Sequence, residues 1–190
     1  MVPALRPGCQ SPVTRGAASR SDRANPTSRL SCEATGLSRP ADGAQRVATA
    51  DETAWNDRII ADFHEHAGQI TEGRLAGANL LLMTSIGASS GEPRTAPLGY
   101  TRDGPRYVVV GSNSGLPQQP GWLANIRAHP IVTVEVGAET FPARATITTG
   151  AERQRLWAAH VAAIPHFATY EKMVERELQV VTLEPLAAEG

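Results

Sequence analysis

Two runs of β-branched residues, each joined to a partner run by a very short turn, constrain the fold of this chain more than any other feature of its sequence. Arg106 to Val110 (Arg-Tyr-Val-Val-Val) is reached from Arg94 to Tyr100 across the tight turn Arg102-Asp103-Gly104-Pro105, and Ile131 to Val136 leads across Gly137-Ala138 into Glu139 to Thr148. Turns this short join neighbouring antiparallel strands, whereas a parallel pair needs a crossover of about a dozen residues or more. The apolar run Ala78 to Thr84 reads as a central strand buried on both sides, so the first three strands form a meander, and Gln179 to Leu183 supplies a sixth.

Between the strands the apolar period changes to that of a helix. Trp55, Ile59, Ile60 and Phe63 recur at three-to-four-residue spacing, with His66 and Ala67 as an extension, and Asp51, Glu52 and Asp57 crowd the start, where a helix dipole favours negative charge. Pro120 to Ala128 predicts a second helix, with Pro120 in its first turn, Trp122, Leu123 and Ile126 facing inward, and His129-Pro130 ending it. Thr149-Gly150-Ala151-Glu152 has the spacing of a capping box ahead of a helix from Ala151 to Ala163, and after Ile164-Pro165-His166 helix resumes over Ala168 to Glu177. Six mostly antiparallel strands and four helical pieces predict an α+β fold, a small closed or half-closed β-barrel with helices packed outside.

Composition divides the chain unevenly. The first 50 residues hold no Phe, Trp or Tyr and carry seven arginines against Asp22, Glu33 and Asp42. Such a segment buries too little apolar surface to offset chain entropy, so residues 1–50 are expected to be disordered, 51–186 to form one domain, and 187–190 a short tail. The tail resembles a targeting peptide in composition but lacks an apolar stretch and a clean amphipathic period, which reads as a leader without function or a misplaced start codon. Its arginines could draw it to an anionic membrane surface, although no apolar face adjoins them. The formal charge of −1 hides a basic tail and an acidic body, which excludes a nucleic-acid-binding body. Cys9 and Cys32 both lie in the tail, so neither a disulfide framework nor a zinc cluster supports the fold, and a cytoplasmic location is expected.

Three constellations could carry chemistry. His64-Glu65-His66 suggests a metal site, but positions i and i+2 on a helix point to different sides. Ser112, His129 and Asp103 could be written as a triad, but no Gly-x-Ser-x-Gly elbow is present. The segment Gly111 to Trp122 is more informative, because it places small and amide residues with free backbone N–H groups between a β-branched strand and a helix start. A second Gly/Ser loop, Gly87 to Gly91, precedes Arg94, the side chain best suited to clamp a phosphate or carboxylate. Two anion-friendly loops around one barrel predict a long polyanionic ligand.

These residues support a resemblance. Leu80 to Leu98, containing Ser-Gly-Glu-Pro-Arg, then Val108 to Ser114, then Pro120-Gly121-Trp122-Leu123-Ala124-Asn125-Ile126-Arg127-Ala128-His129-Pro130, and finally Glu184-Pro185 are together similar to the deazaflavin-dependent nitroreductase family. The resemblance runs from about Trp55 to Pro185 in unbroken order. It implies a split β-barrel like that of FMN-binding oxidoreductases and the cofactor F420, an 8-hydroxy-5-deazaflavin with a phosphate and an oligoglutamate tail. By position, it places Ala88, Ser89, Ser90 and Arg94 at the phosphate and tail, Ala96 and Pro97 along the cofactor, Val110, Gly111, Ser112 and Asn113 near the deazaflavin, and Gly121, Trp122 and Asn125 on the helix beside it. Phe167 stands where the family has a substrate-pocket tyrosine, and Tyr170 lies one helical turn on.

Two departures accompany the match. Basic residues common in the family are replaced by Ala88 and Ser89, and a lysine common near Asn113 is absent; each charged hydrogen bond exchanged for a neutral one weakens binding by about 1 kcal/mol. Weaker binding, a different tail length or FMN as the cofactor would follow. The expected activity is hydride transfer from reduced F420 to a quinone, activated alkene or nitroaromatic, with Ser112 at the polar edge and Tyr170, Tyr100 or water as proton donor. The alternative is a noncatalytic protein that binds a flavin, deazaflavin or tetrapyrrole. An exposed barrel edge would favour a homodimer.

Overall fold

Val132 and Val134 are buried while Ile131 and Thr133 are exposed, the alternation expected of a sheet with one face turned to a core. That core is the inside of a closed barrel. The computed structural model describes residues 50–187, in which six strands, β1 (Leu80–Ile86), β2 (Pro93–Asp103), β3 (Arg106–Val110), β4 (Ile131–Val136), β5 (Glu139–Ile147) and β6 (Val180–Pro185), close in the order β1-β2-β3-β6-β5-β4. Every pairing is antiparallel. Four helices accompany them: α1 (Ala50–Glu65), α2 (Gly121–Ala128), α3 (Gly150–Ala163) and α4 (Phe167–Met173). Ala50, expected in the tail, is the first helical residue, and the expectations for residues 1–49 and 188–190 lie outside the described residues.

The strands sort their side chains to two sides. Leu81, Met83, Val109, Val132, Val134, Ala143, Ala145, Val181 and Leu183 meet inside the barrel, and Trp122, Leu123 and Ile126 of α2 join them. Helix α2 therefore closes one barrel end with its apolar face. On the outer surface, Leu80 and Leu82 are covered by Ile59, Phe63 and Ile70, the first two from α1, and Val108, Val110 and Val180 are covered by Leu156 of α3, Phe167 of α4 and Leu178. His66 and Ala67, which could have extended the α1 stripe, are exposed, and Ala67 takes a positive φ of 49°.

Three local expectations are corrected. Pro120 is the residue before α2, with extended backbone, rather than part of its first turn. Thr149 precedes α3 without a side-chain cap, and Glu152 pairs with Arg106 instead of reaching back. Helix α4 ends at Met173, short of Glu177, where Val174 turns extended.

Candidate functional site

Both Gly-rich loops lie at the barrel end closed by α2. The first closes on itself: the Gly87 N–H donates to the Glu92 carbonyl at 2.8 Å, and the Gly91 N–H donates to the Gly87 carbonyl at 2.8 Å. Asn125 of α2 ties it down. The Ala88 N–H donates to Asn125 Oδ1 at 3.0 Å, and Asn125 Nδ2 donates to Ser85 Oγ at 3.1 Å, in a bond that is fully buried. The Ser90 hydroxyl oxygen accepts from the Glu92 N–H at 3.2 Å. Arg94, the second residue of β2 beside this loop, is exposed, and its side chain makes no hydrogen bond or ion pair among the described residues.

The second loop is held in an unusual conformation. Asn113, Ser114 and Gly115 all have positive φ, at 50°, 53° and 78°, and this left-handed backbone costs roughly 1 kcal/mol at Ser114 and less at Asn113, a residue type that enters it readily. An added Cβ at Gly115 would lie 2.9 Å from Met173 Cε and 3.2 Å from Tyr170 Cδ1, so the exposed Met173 side chain would have to shift, and its φ of 78° is one that residues with a side chain rarely adopt. Gly111 is pressed against Leu123 in the same way, at 2.7 Å from its Cδ1. The Asn113 side chain bonds back to the Gln118 carbonyl at 3.0 Å.

Arg176, which the sequence did not signal, binds four carbonyls of this loop. Its Nε donates to Pro117 at 3.0 Å, Nη1 to Gly111 at 3.0 Å, and Nη2 to Ser112 at 2.9 Å and Leu116 at 3.2 Å. No carboxylate pairs with it among the described residues, and burial lowers its pKa below the ordinary arginine value. Arg176 follows α4, so one short segment from Tyr170 to Arg176 grips the loop from both sides.

Beside these loops, a strip of the outer face of β2 at Pro97 and Gly99 is half-buried. Pro97 and Gly99 face outward, because their partners Leu82 and Leu80 do. Gly99 leaves the floor without a side chain, and the flanking groups on either side, Phe167 and Leu80, lie 3.9 Å and 4.0 Å from where a Cβ would sit. Phe167 itself is only 6% exposed and packs with Val108, Val110 and Leu156. Its ring is stacked on His166 at 4.8 Å and meets Tyr170 edge-on at 5.6 Å. Behind it, fully buried His160 contacts the same ring edge-on at 4.5 Å and shares a 2.9 Å hydrogen bond between Nδ1 and the Thr101 hydroxyl. Burial, with a lesser push from His166, lowers the His160 pKa to about 4.

The expected residues thus fall into three groups. Pro97, Val110, Phe167 and Tyr170 border the outer strip, and Ser112 and Asn113 extend it into the left-handed loop. Ser89, Ser90 and Arg94 lie at the first loop. Ala96 and Trp122 instead pack with the barrel interior, Gly111 lies against Leu123, Gly121 begins α2, and the side chain of Asn125 is already engaged by Ala88 and Ser85. The side chains of Ala96 and Pro97 face opposite sides of β2, Ala96 toward the barrel interior and Pro97 outward. Tyr100 lies toward the other barrel end, where it lines cavities of about 470 and 370 Å³ with Asn79, away from both loops. The Ser112, His129 and Asp103 triad is not assembled, as Asp103 is bound by Arg106 and Arg155.

These features fit a planar, anionic redox cofactor: a position without a side chain at Gly99, and, among the described residues, an unpaired guanidinium at Arg94 and N–H groups of Asn113 and Ser114 without partners. The closed six-stranded antiparallel barrel places the chain in a class, the split-barrel proteins to which F420-dependent reductases belong. Within that class residues 55–185 match the F420H(2)-dependent quinone reductase family. An F420H(2)-dependent quinone reductase of Mycobacterium tuberculosis (strain ATCC 25618 / H37Rv) is 32% identical over 146 residues, 70% of this chain and 97% of the relative. The solved structure of an F420-H2 dependent reductase superposes with a TM-score of 0.52 at 34% identity, covering 56% of this chain and 94% of that one. Another, described as a domain-swapped dimer, gives a TM-score of 0.54 at 30% identity over 70% and 98% of the two chains. The chain belongs to the F420H(2)-dependent quinone reductase family: it is an oxidoreductase, and F420 is the cofactor its family uses. This membership favours the enzymatic reading over the binding-only one, and F420 over FMN.

Proposed function

We propose that the outer strip between Leu80 and Phe167 is where this chain holds reduced F420 and brings a quinone to it. The observation that carries the reading is the side-chain-free floor at Gly99, walled by Phe167 and continuous with the left-handed loop. When bound, reduced F420 supplies a hydride from C5 of its deazaflavin. Pro97 and Val110 form the apolar floor, Ser112 and the N–H groups of Asn113 and Ser114 meet the polar edge, and Arg94 with Ser89 and Ser90 meets the phosphate and acidic tail. Ala88 and Asn125 act behind them by fixing the first loop.

Phe167 and Tyr170 shape the side on which the acceptor lies. A quinone that takes a hydride also needs a proton, and the Tyr170 hydroxyl or water supplies it. A nitroaromatic or activated alkene is accommodated by the same face. The related structure described as a domain-swapped dimer supports a dimeric assembly for this chain as well. No helix among the described residues is long and apolar enough to cross a membrane, which is compatible with the cytoplasmic location we infer.

The test is to mix the purified protein with reduced F420 and menadione and to follow recovery of the oxidised deazaflavin's visible absorbance. Recovery at a rate proportional to protein concentration is expected. Absence of both cofactor binding and turnover overturns the reading.

A further inference from the structure

We infer that Arg176 is a positioning residue for the cofactor: by binding the carbonyls of one loop it turns the N–H groups of Asn113 and Gln118 toward the ligand. In a trans peptide the C=O and N–H of one unit point in opposite directions. The carbonyls of Ser112 and Pro117 are drawn to the guanidinium at 2.9 and 3.0 Å, so the N–H groups on the same two peptide units, those of Asn113 and Gln118, point away from it. Neither has a partner among the described residues. Gly111 obeys the same geometry, and there the outward N–H of Ser112 is already taken by the Val110 carbonyl at 2.9 Å.

The loop needs such a clamp. Two non-glycine residues in left-handed conformation are held there only if their surroundings over-determine them. Arginine is suited to this because its planar fork directs several donors at fixed angles, whereas an ammonium group is a single compact charge. A cation already neutralised by a carboxylate would add little field, but Arg176 has no such partner among the described residues. Its charge therefore also favours the electron-rich edge of a reduced deazaflavin nearby.

The inference rests on the reading of F420 as ligand, and the experiment separates the two. Wild type, Arg176→Lys and Arg176→Met are titrated with F420 by quenching of its fluorescence, with far-UV circular dichroism as a control for folding. Arg176→Met is expected to bind roughly tenfold more weakly or worse, and Arg176→Lys in between. Methylguanidinium is expected to restore affinity to Arg176→Met without affecting the wild type. Undiminished affinity in both variants, or a folded Arg176→Met that methylguanidinium does not rescue, overturns the role. If Arg176→Met fails to fold, Arg176→Lys decides alone, with unchanged affinity overturning the inference. A wild type that does not bind F420 overturns the functional reading instead. In that event the Asn113 and Gln118 amide resonances, expected to move in unliganded Arg176→Lys, still decide the positioning role, and their staying in place overturns it.

Discussion

The carboxamide of Asn125 accepts the Ala88 N–H at 3.0 Å and, through its other atom, donates to Ser85, so helix α2 and the first Gly-rich loop share one buried side chain. Replacing Asn125 by Ala leaves the Ala88 donor and the Ser85 hydroxyl without it, at a cost of about 1 to 3 kcal/mol. Asn125→Ala is expected to unfold at lower urea and to bind F420 more weakly, since the loop that carries Ser89 and Ser90 is loosened. Undiminished stability in urea would remove the bridging role.

That bridge also marks the limit of what sequence could reveal. Strands β3 and β4 were legible to the residue because β-branched runs end at turn residues, and the order of hairpins led directly to a barrel. Residues whose partners are backbone atoms far along the chain were not legible. The resemblance places Asn125 beside the cofactor, and its own helix gives no hint that Ala88, 37 positions earlier, bonds to it. Arg176 gave no signal at all: it sits in Val174 to Leu178, whose composition suits a helix, and it is the four loop carbonyls that define it. The outer strip was half legible, since Ala96 and Pro97 were both expected at the ligand and strand alternation assigns them to opposite faces.

The neutral state of His160 makes stability depend on pH. Its pKa falls from an ordinary 6.5 to about 4 in the fold, so between these values the unfolded chain binds the extra proton. Stability from this group is therefore fully present above about pH 6.5 and declines as pH falls toward 4, by an amount on the order of 3 kcal/mol. Urea unfolding at pH 7, 5.5 and 4.5 should show this slope in the wild type and a smaller one in His160→Gln. Equal slopes in the two proteins would assign the effect elsewhere.

Asp103 acts at lower pH. Hydrogen bonds from Arg155 and Arg106 hold its carboxyl well below the usual carboxylate range, so its contribution is present above its ordinary pKa near 3.8 and is lost as pH falls further. Asp103→Asn is expected to lower the unfolding midpoint slightly at pH 7 and in low salt. The difference from wild type should shrink in high salt, which screens an exposed pair, and a difference that grows with salt would contradict an ionic origin.

Gly99 allows the location of the cofactor to be tested without damaging the fold. An added methyl group meets Phe167 at 3.9 Å and Leu80 at 4.0 Å, ordinary van der Waals distances, and alanine in a strand is favoured over glycine by about 0.5 to 1 kcal/mol. Gly99→Ala is thus expected to be as stable as the wild type or more so, yet to bind F420 several-fold more weakly because the floor has risen. Unchanged affinity in a stable Gly99→Ala protein would move the deazaflavin off this strip.

Arg94 distinguishes recognition of the acidic tail from recognition of the ring. Its exposed guanidinium has no partner among the described residues, so its loss should leave stability within about 0.5 kcal/mol of the wild type. A hydrogen bond to a charged group contributes about 1.5 to 3 kcal/mol, which predicts that Arg94→Gln binds F420 between roughly 10 and 100 times more weakly. The loss should depend on the part of the ligand that carries negative charge. With a deazaflavin lacking phosphate and glutamates, Arg94→Gln and wild type are expected to bind alike, and the salt dependence of F420 binding should be shallower in the variant. An equal loss for the tailless ligand would place Arg94 against the ring and reassign the phosphate to the first loop alone.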